Sequence, residues 1–372
     1  MHNELRRILK GVTHMEKMTS RERILRTYKR KETDRIPMVD SAWTGTVKRW
    51  KNEGMPKDAD WQDYFGFDKI VKITPDNSPR FEQKILEQND RYKVITTKWG
   101  QTQRIFCELD STPEVLENYY YTRERWEEAK ARMLDGDLSR VNFENLKNNH
   151  AKWTAEGRFR QLVVWFGFDV AHSHMIGTEN LLVAMYDDPE WVEDVFDTYL
   201  TVSLDLCQKI LDAGYEFDGV FWYDDMGYKN TTFFSPAIYR ELLKPYHKRA
   251  VDWAHERGLV AELHSCGFVE SLVPDLVDIG VDMLNPLERK AGMDPIKLKN
   301  EFGDKLAFHG GINAQMWDTP ELVTAEMEKI IPAMKEGGGY IFASDHSIPN
   351  SVSFENMKII SDLAHNLGKY CG

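Results

Sequence analysis

From about residue 160 onward, apolar and polar positions follow one repeating order. A short run of Val, Ile, Leu and Phe leads to a polar loop, then to a longer stretch with helical periodicity that stops near a glycine. Such alternation predicts strand–helix units and therefore a parallel sheet. The units open at Leu162 (LVVWFGF), Gly219 (GVFWYDD), Val260 (VAELHSC), Val281 (VDMLNP), Leu306 (LAFHGG) and Tyr340 (YIFASDH). Gly214, Gly258, Gly280 and Gly337 stand where the intervening helices should end. Residues 36–40, after an amphipathic helix over 21–29, supply a seventh strand, and one more is expected in the intervening stretch. The count predicts an α/β fold, a (β/α)8 TIM barrel forming a single domain over residues 1–372. A doubly wound sheet fits less well, because no G-x-G-x-x-G follows a strand and the strand count runs past six.

Residues 45–155 break the rhythm with high charge and many aromatics. Alternation on both sides of Gly100 predicts a hairpin over 91–106. The stretch reads as an elaboration over one barrel mouth, with a separate small domain as the alternative.

Composition narrows the function classes. Hydrophobic residues at 42% and charged residues at 29% describe an ordinary folded protein. A formal net charge of −12 without a basic cluster argues against nucleic acid as partner. No apolar run is long enough to cross a membrane, and the first residues are too charged for a secretory signal, so a soluble cytoplasmic protein is expected. Cys107, Cys207, Cys266 and Cys371 show no framework spacing and read as reduced thiols.

In a barrel of this kind, reactive groups stand where strands give way to loops. Those places hold Asp40 and Trp43; Asp169, His172 and His174; Tyr223, Asp224 and Asp225; His264 and Cys266; Asn285 and Glu288; His309 and Asn313; Asp345 and His346. The sharpest motif is His264-Ser-Cys266, because side chains two apart on an extended segment share a face and can share one Zn²⁺. His346 is the expected third ligand, with Asp345 or Glu288 as substitutes; Asp345 could instead orient an imidazole. The same spacing also suits a hydrogen-bonded histidine beside a packed thiol. Tyr223-Asp224-Asp225 offers an acid/base or substrate anchor, or a helix cap. His309-Gly-Gly-Ile-Asn313 could bring backbone close to a ligand or form a tight turn. The catalytic candidates are thus Asp225, Asp224, Tyr223 and His309, and the cofactor contacts Asn313 and Trp43.

Several ordered segments resemble uroporphyrinogen decarboxylase-like proteins. They include Met18-Thr-Ser-Arg-Glu-Arg-Ile-Leu25, Thr33-Asp-Arg-Ile-Pro37, Gly177-Thr-Glu-Asn-Leu-Leu182, Leu263-His-Ser-Cys-Gly267, Gly280-Val-Asp-Met-Leu-Asn285 and Phe308-His-Gly-Gly-Ile-Asn313. The resemblance runs over nearly the whole chain and implies a (β/α)8 barrel. The superfamily it points to holds cofactor-independent decarboxylases and zinc-using, cobalamin-dependent methyltransferases. Decarboxylases of this type carry an Arg-Gln-Ala-Gly-Arg stretch after the first strand, whereas this chain reads Asp40-Ser-Ala-Trp-Thr-Gly-Thr-Val-Lys-Arg49. The methyltransferases carry H-x-C and a later Cys as zinc ligands; His264 and Cys266 match, and His346 stands where the later thiolate would be. The resemblance therefore implies a zinc-dependent methyltransferase working on a corrinoid (cobalamin), including the O- or N-demethylating component of a corrinoid system. The methyl donor or acceptor is a small molecule. No Asp-x-His-x-x-Gly run is present, so the corrinoid is expected free or on a separate corrinoid protein. A tetrapyrrole decarboxylase and a non-catalytic corrinoid-binding barrel are the alternatives.

Overall fold

The computed structural model describes residues 17–107, 112–120 and 122–370; Cys371 lies outside them. Seven parallel strands form one sheet: β1 (Ile70–Ile73), β6 (Phe159–Val163), β7 (Gly219–Tyr223), β8 (Val260–His264), β9 (Met283–Asn285), β10 (Ala307–His309) and β11 (Tyr340–Ile341), hydrogen-bonded in that order. The segment at 36–39 completes the ring. Phe342 N donates to Pro37 O at 2.8 Å and Val39 N to Phe342 O at 3.0 Å, while Asp68 N on the other side donates to Met38 O at 2.7 Å. Eight staves thus close an α/β TIM-type barrel, and the stave missing from the sequence pattern is Ile70–Ile73, inside the 45–155 stretch.

Alternation sorts the side chains of each stave. Val220, Trp222, Ala261, Leu263, Leu284 and Phe308 face outward into the main core, where the helices Pro189–Asp212, Lys244–Glu256 and Pro320–Lys335 cover them. Phe159, Met283, Ala307 and Ile341 face inward and form a separate apolar layer with Ile24 and Tyr28. The last two come from the helix Ser20–Tyr28, which starts at a capping box between Thr19 and Glu22 and lies across the amino-terminal end of the barrel. Arg23 on that helix donates to Asp34 and Asp68; Asp68 in turn accepts from Arg35 and from the backbone N–H of Met38. One buried carboxylate thereby ties the helix, the first stave and the start of β1 together.

The predicted hairpin is part of a second, antiparallel sheet of β2 (Ile85–Gln88), β3 (Tyr92–Thr96), β4 (Thr102–Phe106) and β5 (Glu114–Glu117). β3 and β4 pair from Tyr92↔Phe106 to Thr96↔Thr102. Their turn docks on the segment that follows β6: Trp99 packs against Trp165 and His174, and Gln101 Nε2 donates to Ser173 O. The elaboration therefore stands beside the carboxyl ends of the staves. Among the described residues, no helix is long and apolar enough to cross a membrane.

Candidate functional site

A cavity of about 590 Å³ opens at the carboxyl ends of the staves. The register of the sheet decides what lines it. Tyr223, His264 and Asn285 are direct partners across β7, β8 and β9, so they stand side by side on one inward-facing rung. Asp225 and Cys266 continue the same faces two residues further on.

These residues converge. His264 Nε2 lies 3.2 Å from Cys266 Sγ and 3.7 Å from Asp225 Oδ1, and the three ligand atoms fall within 4.8 Å of one another. Two glycines make the approach possible. A Cβ on Gly267, which has φ +80°, would stand 2.3 Å from the carbonyl carbon of Gly227, and one on Gly227 would stand 2.4 Å from Cys266 O. The loops after β7 and β8 cross backbone to backbone there, and Cys266 N donates to Asp225 Oδ1 at 2.8 Å.

The imidazole of His264 is held in one tautomer. Its Nδ1–H donates to Asn285 Oδ1 at 2.5 Å, and Asn285 Nδ2 donates to His309 O at 3.1 Å, which fixes the amide. Burial drives the His264 pKa down to about 4, so the ring is neutral and its Nε2 lone pair faces the sulfur and the carboxylate. Burial, followed by the carboxylates of Asp169 and Glu288, pushes Asp225 up to about 7. Burial, then Asp225 and Glu288, likewise raises the Cys266 thiol. The cluster has donors in excess of positive charge.

The other candidates divide by the same alternation. Tyr223 and His309 line the cavity. Both ring nitrogens of His309 are engaged, Nδ1 with Glu262 Oε1 at 2.8 Å and Nε2 with Val39 O at 3.0 Å. Asp224 points the opposite way from Asp225: it is fully buried, accepts from His247 Nε2 and Asp169 N at 2.7 Å each, and does not reach the cavity. His346 lines the cavity without joining the three converging donors. Asp345 and Glu288 are tied to backbone N–H groups, the first to Arg289 and Ala314, the second to Gly267. Asn313 caps a short helical turn by accepting from Gln315 N, and Trp43 heads the helix Thr44–Asn52; neither lines the cavity. His172 and His174 pack on Phe168 and Trp165, outside it. Asp40 does line it, held by Ser344 and Ser41, and burial raises its carboxyl to about 7.

The cavity floor was not foreseen. Glu262, two residues before His264, accepts from Tyr28 Oη at 2.5 Å and Gln161 Nε2 at 2.7 Å as well as from His309. Lys72 stands nearby with its Nζ 3.2 Å from the centroid of the Phe221 ring. The signal for Glu262 was present, a carboxylate in phase with His264 inside an apolar run. Lys72 sits in the short IVKI segment, too brief to announce a strand.

A family model described as uroporphyrinogen decarboxylase (URO-D) matches residues 168–367. A curated uroporphyrinogen decarboxylase from Pseudoalteromonas atlantica (strain T6c) is 35% identical over 181 residues, 48% of this chain and 49% of that protein. One from Vesicomyosocius okutanii is 36% identical over 76 residues, 20% of this chain and 22% of that protein. The match thus spans about half the length of these relatives or less. Among solved structures, a methyltransferase from Methanosarcina mazei superposes with a TM-score of 0.61, covering 94% of this chain and 99% of that one. At 16% identity that likeness speaks for the fold. The family match covers more than half of the sequence, and the chain belongs to the uroporphyrinogen decarboxylase family.

Proposed function

We propose that the protein is a zinc-dependent methyltransferase that moves a methyl group between a small molecule and a corrinoid, the corrinoid arriving free or on a separate protein. The observation that carries this reading is the convergence of Asp225, His264 and Cys266 on the wall of an open cavity. Their chemistry fits the metal: one carboxylate, one neutral imidazole and one thiol, with separations near the roughly 3.5 Å that adjacent donors keep around a tetrahedral zinc. The protonation shifts fit too, since a divalent cation is the charge that would let Asp225 and Cys266 both ionise. Asp225 takes the place expected for His346, which is left facing the cavity. Three protein donors leave a position open, as in catalytic zinc sites.

Bound there, zinc supplies a Lewis acid that polarises an ether oxygen or favours the ionised form of an acceptor thiol. The chain's own contribution is positioning. Asn285 keeps the Nε2 lone pair of His264 turned to the site, and Tyr223, 4.9 Å from the His264 ring, forms the adjoining wall. Elemental analysis should find close to one zinc per chain, and Cys266→Ala should lose both the metal and the spectral change that accompanies demethylation of methylcobalamin. Full methyl transfer by metal-free protein would overturn the reading. So would carboxylate loss from a porphyrinogen without corrinoid.

A further inference from the structure

The geometry points to an anion subsite on the cavity floor, where Lys72 pairs with the carboxylate of a flat molecule of benzoate size. Calling that molecule the methyl donor or acceptor rests on the function proposed above; the subsite itself does not.

Lys72 is the second inward residue of β1, so the pleat sends its side chain into the barrel. Its ammonium lies over Phe221, at 3.2 Å from the ring centroid, and 5.6 Å from that of Tyr223. Among the described residues it makes no hydrogen bond or contact ion pair, and Glu262 acts on it only through space. Lys72 is exposed to this open cavity, so its ammonium can be reached by a ligand, and the cation–π contact leaves its three N–H donors unused.

The obvious internal partner is already occupied. Both oxygens of Glu262 are taken by Tyr28, Gln161 and His309. Gln161, the register partner of Lys72 on β6, is fully buried and carries an Oε1 with no hydrogen-bond partner. The floor therefore offers an ammonium able to donate to an anionic group, whereas the Gln161 oxygen, itself an acceptor, calls for an O–H or N–H of the same ligand.

Charge and shape narrow that group. Lys72 is the one Lys or Arg among the lining residues, and Asp40, Asp225 and Glu262 share the cavity with it. Beside those carboxylates a single ammonium can offset one negative charge and not two, which favours a carboxylate over a doubly charged phosphate. Phe221 and Tyr223, 4.7 Å apart and edge to face, present apolar ring surface beside the ammonium. The Phe221 ring is also 6.2 Å from that of His264, so a small molecule anchored at Lys72 extends to the three metal-type donors. Lys72 acts here as a specificity-determining residue.

Calorimetric titration of chelator-treated protein with 3-methoxybenzoate and with uncharged methoxybenzene tests the subsite, because metal removal leaves Lys72 as the cation. In the wild type, the carboxylate should bind at least tenfold more tightly than its neutral counterpart. Lys72→Met should abolish that preference while leaving methoxybenzene unchanged, and Lys72→Arg should retain part of it. Equal affinity of the wild type for the two compounds overturns the proposal whether or not the variants fold, and so does an unchanged preference in folded Lys72→Met. If the preference holds but no methyl group reaches or leaves a corrinoid, the function falls and the subsite stands. If methyl transfer runs equally well with charged and uncharged donors, the subsite falls alone.

Discussion

Asn285 shows how much of the site is decided by a single side chain. It is not a metal ligand, yet it sets which nitrogen of His264 carries the proton and which presents a lone pair. Substituting Asn285 by Leu keeps the branched outline and removes the acceptor, and should weaken zinc binding at the proposed site about 10- to 100-fold in a chelator competition. Gly267 works at the same scale. Adding one methyl group there forces backbone against backbone at Gly227 in a left-handed conformation, so Gly267→Ala should cost about 2–4 kcal/mol in urea denaturation and loosen the Asp225–Cys266 contact. The sequence made His264 and Cys266 readable because their spacing is local. It could not show that Asp225 converges with them while His346 does not, since which loop reaches the shared point depends on two glycines in different units meeting in space. Asp224 and Asp225 were indistinguishable as letters; only the phase of β7 separates the one locked on His247 from the one facing the cavity.

At the level of elements, the apolar runs marked the later staves well, and the expected helix stops hold: Gly214, Gly258, Gly280 and Gly337 have φ of +87°, +70°, +87° and +67°. β1 escaped because four residues, one of them a lysine, carry too little periodicity against the charged background of 45–155. That stretch is fastened to the barrel by ion pairs centred on Asp76, which accepts from Lys98 near the hairpin turn at 2.8 Å and from Arg80 at 2.9 Å. Burial alone would raise the Asp76 carboxyl, but the hydrogen bonds from Lys98, Ser78 and Arg80 outweigh it and hold the group well below its usual range. A carboxyl that binds its proton less readily folded than unfolded stabilises the fold above its unfolded value near 3.8, and that contribution fades as pH falls toward the lower folded value. Asp76→Asn should therefore lose about 1–2 kcal/mol at pH 7 and progressively less as pH falls below 3.8, read from melting curves across that range.

For the whole molecule, closure of the barrel depends on the buried group of Arg23, Asp34, Arg35 and Asp68. Arg23 and Asp68 are 3% and 1% exposed, and their contact at 2.5 Å joins the amino-terminal helix to the seam between the first stave and β1. Removing one member leaves buried charge without its partner. Arg23→Met should destabilise the protein by about 3–5 kcal/mol, more than an ion pair on the surface could account for, with the loss visible as a drop in Tm.

The helix Ser20–Tyr28 has a kinetic meaning as well. Ile24 and Tyr28 plug one end of the barrel with an apolar layer, and the cavity among the described residues opens at the other. For the methyl transfer proposed above, two reactants entering by that mouth must queue: the one seated against the plug enters first and leaves last, while the bulkier one stoppers the opening behind it. Steady-state product-inhibition patterns should accordingly be those of compulsory-order turnover, and random-order patterns would mean that a second route into the barrel exists.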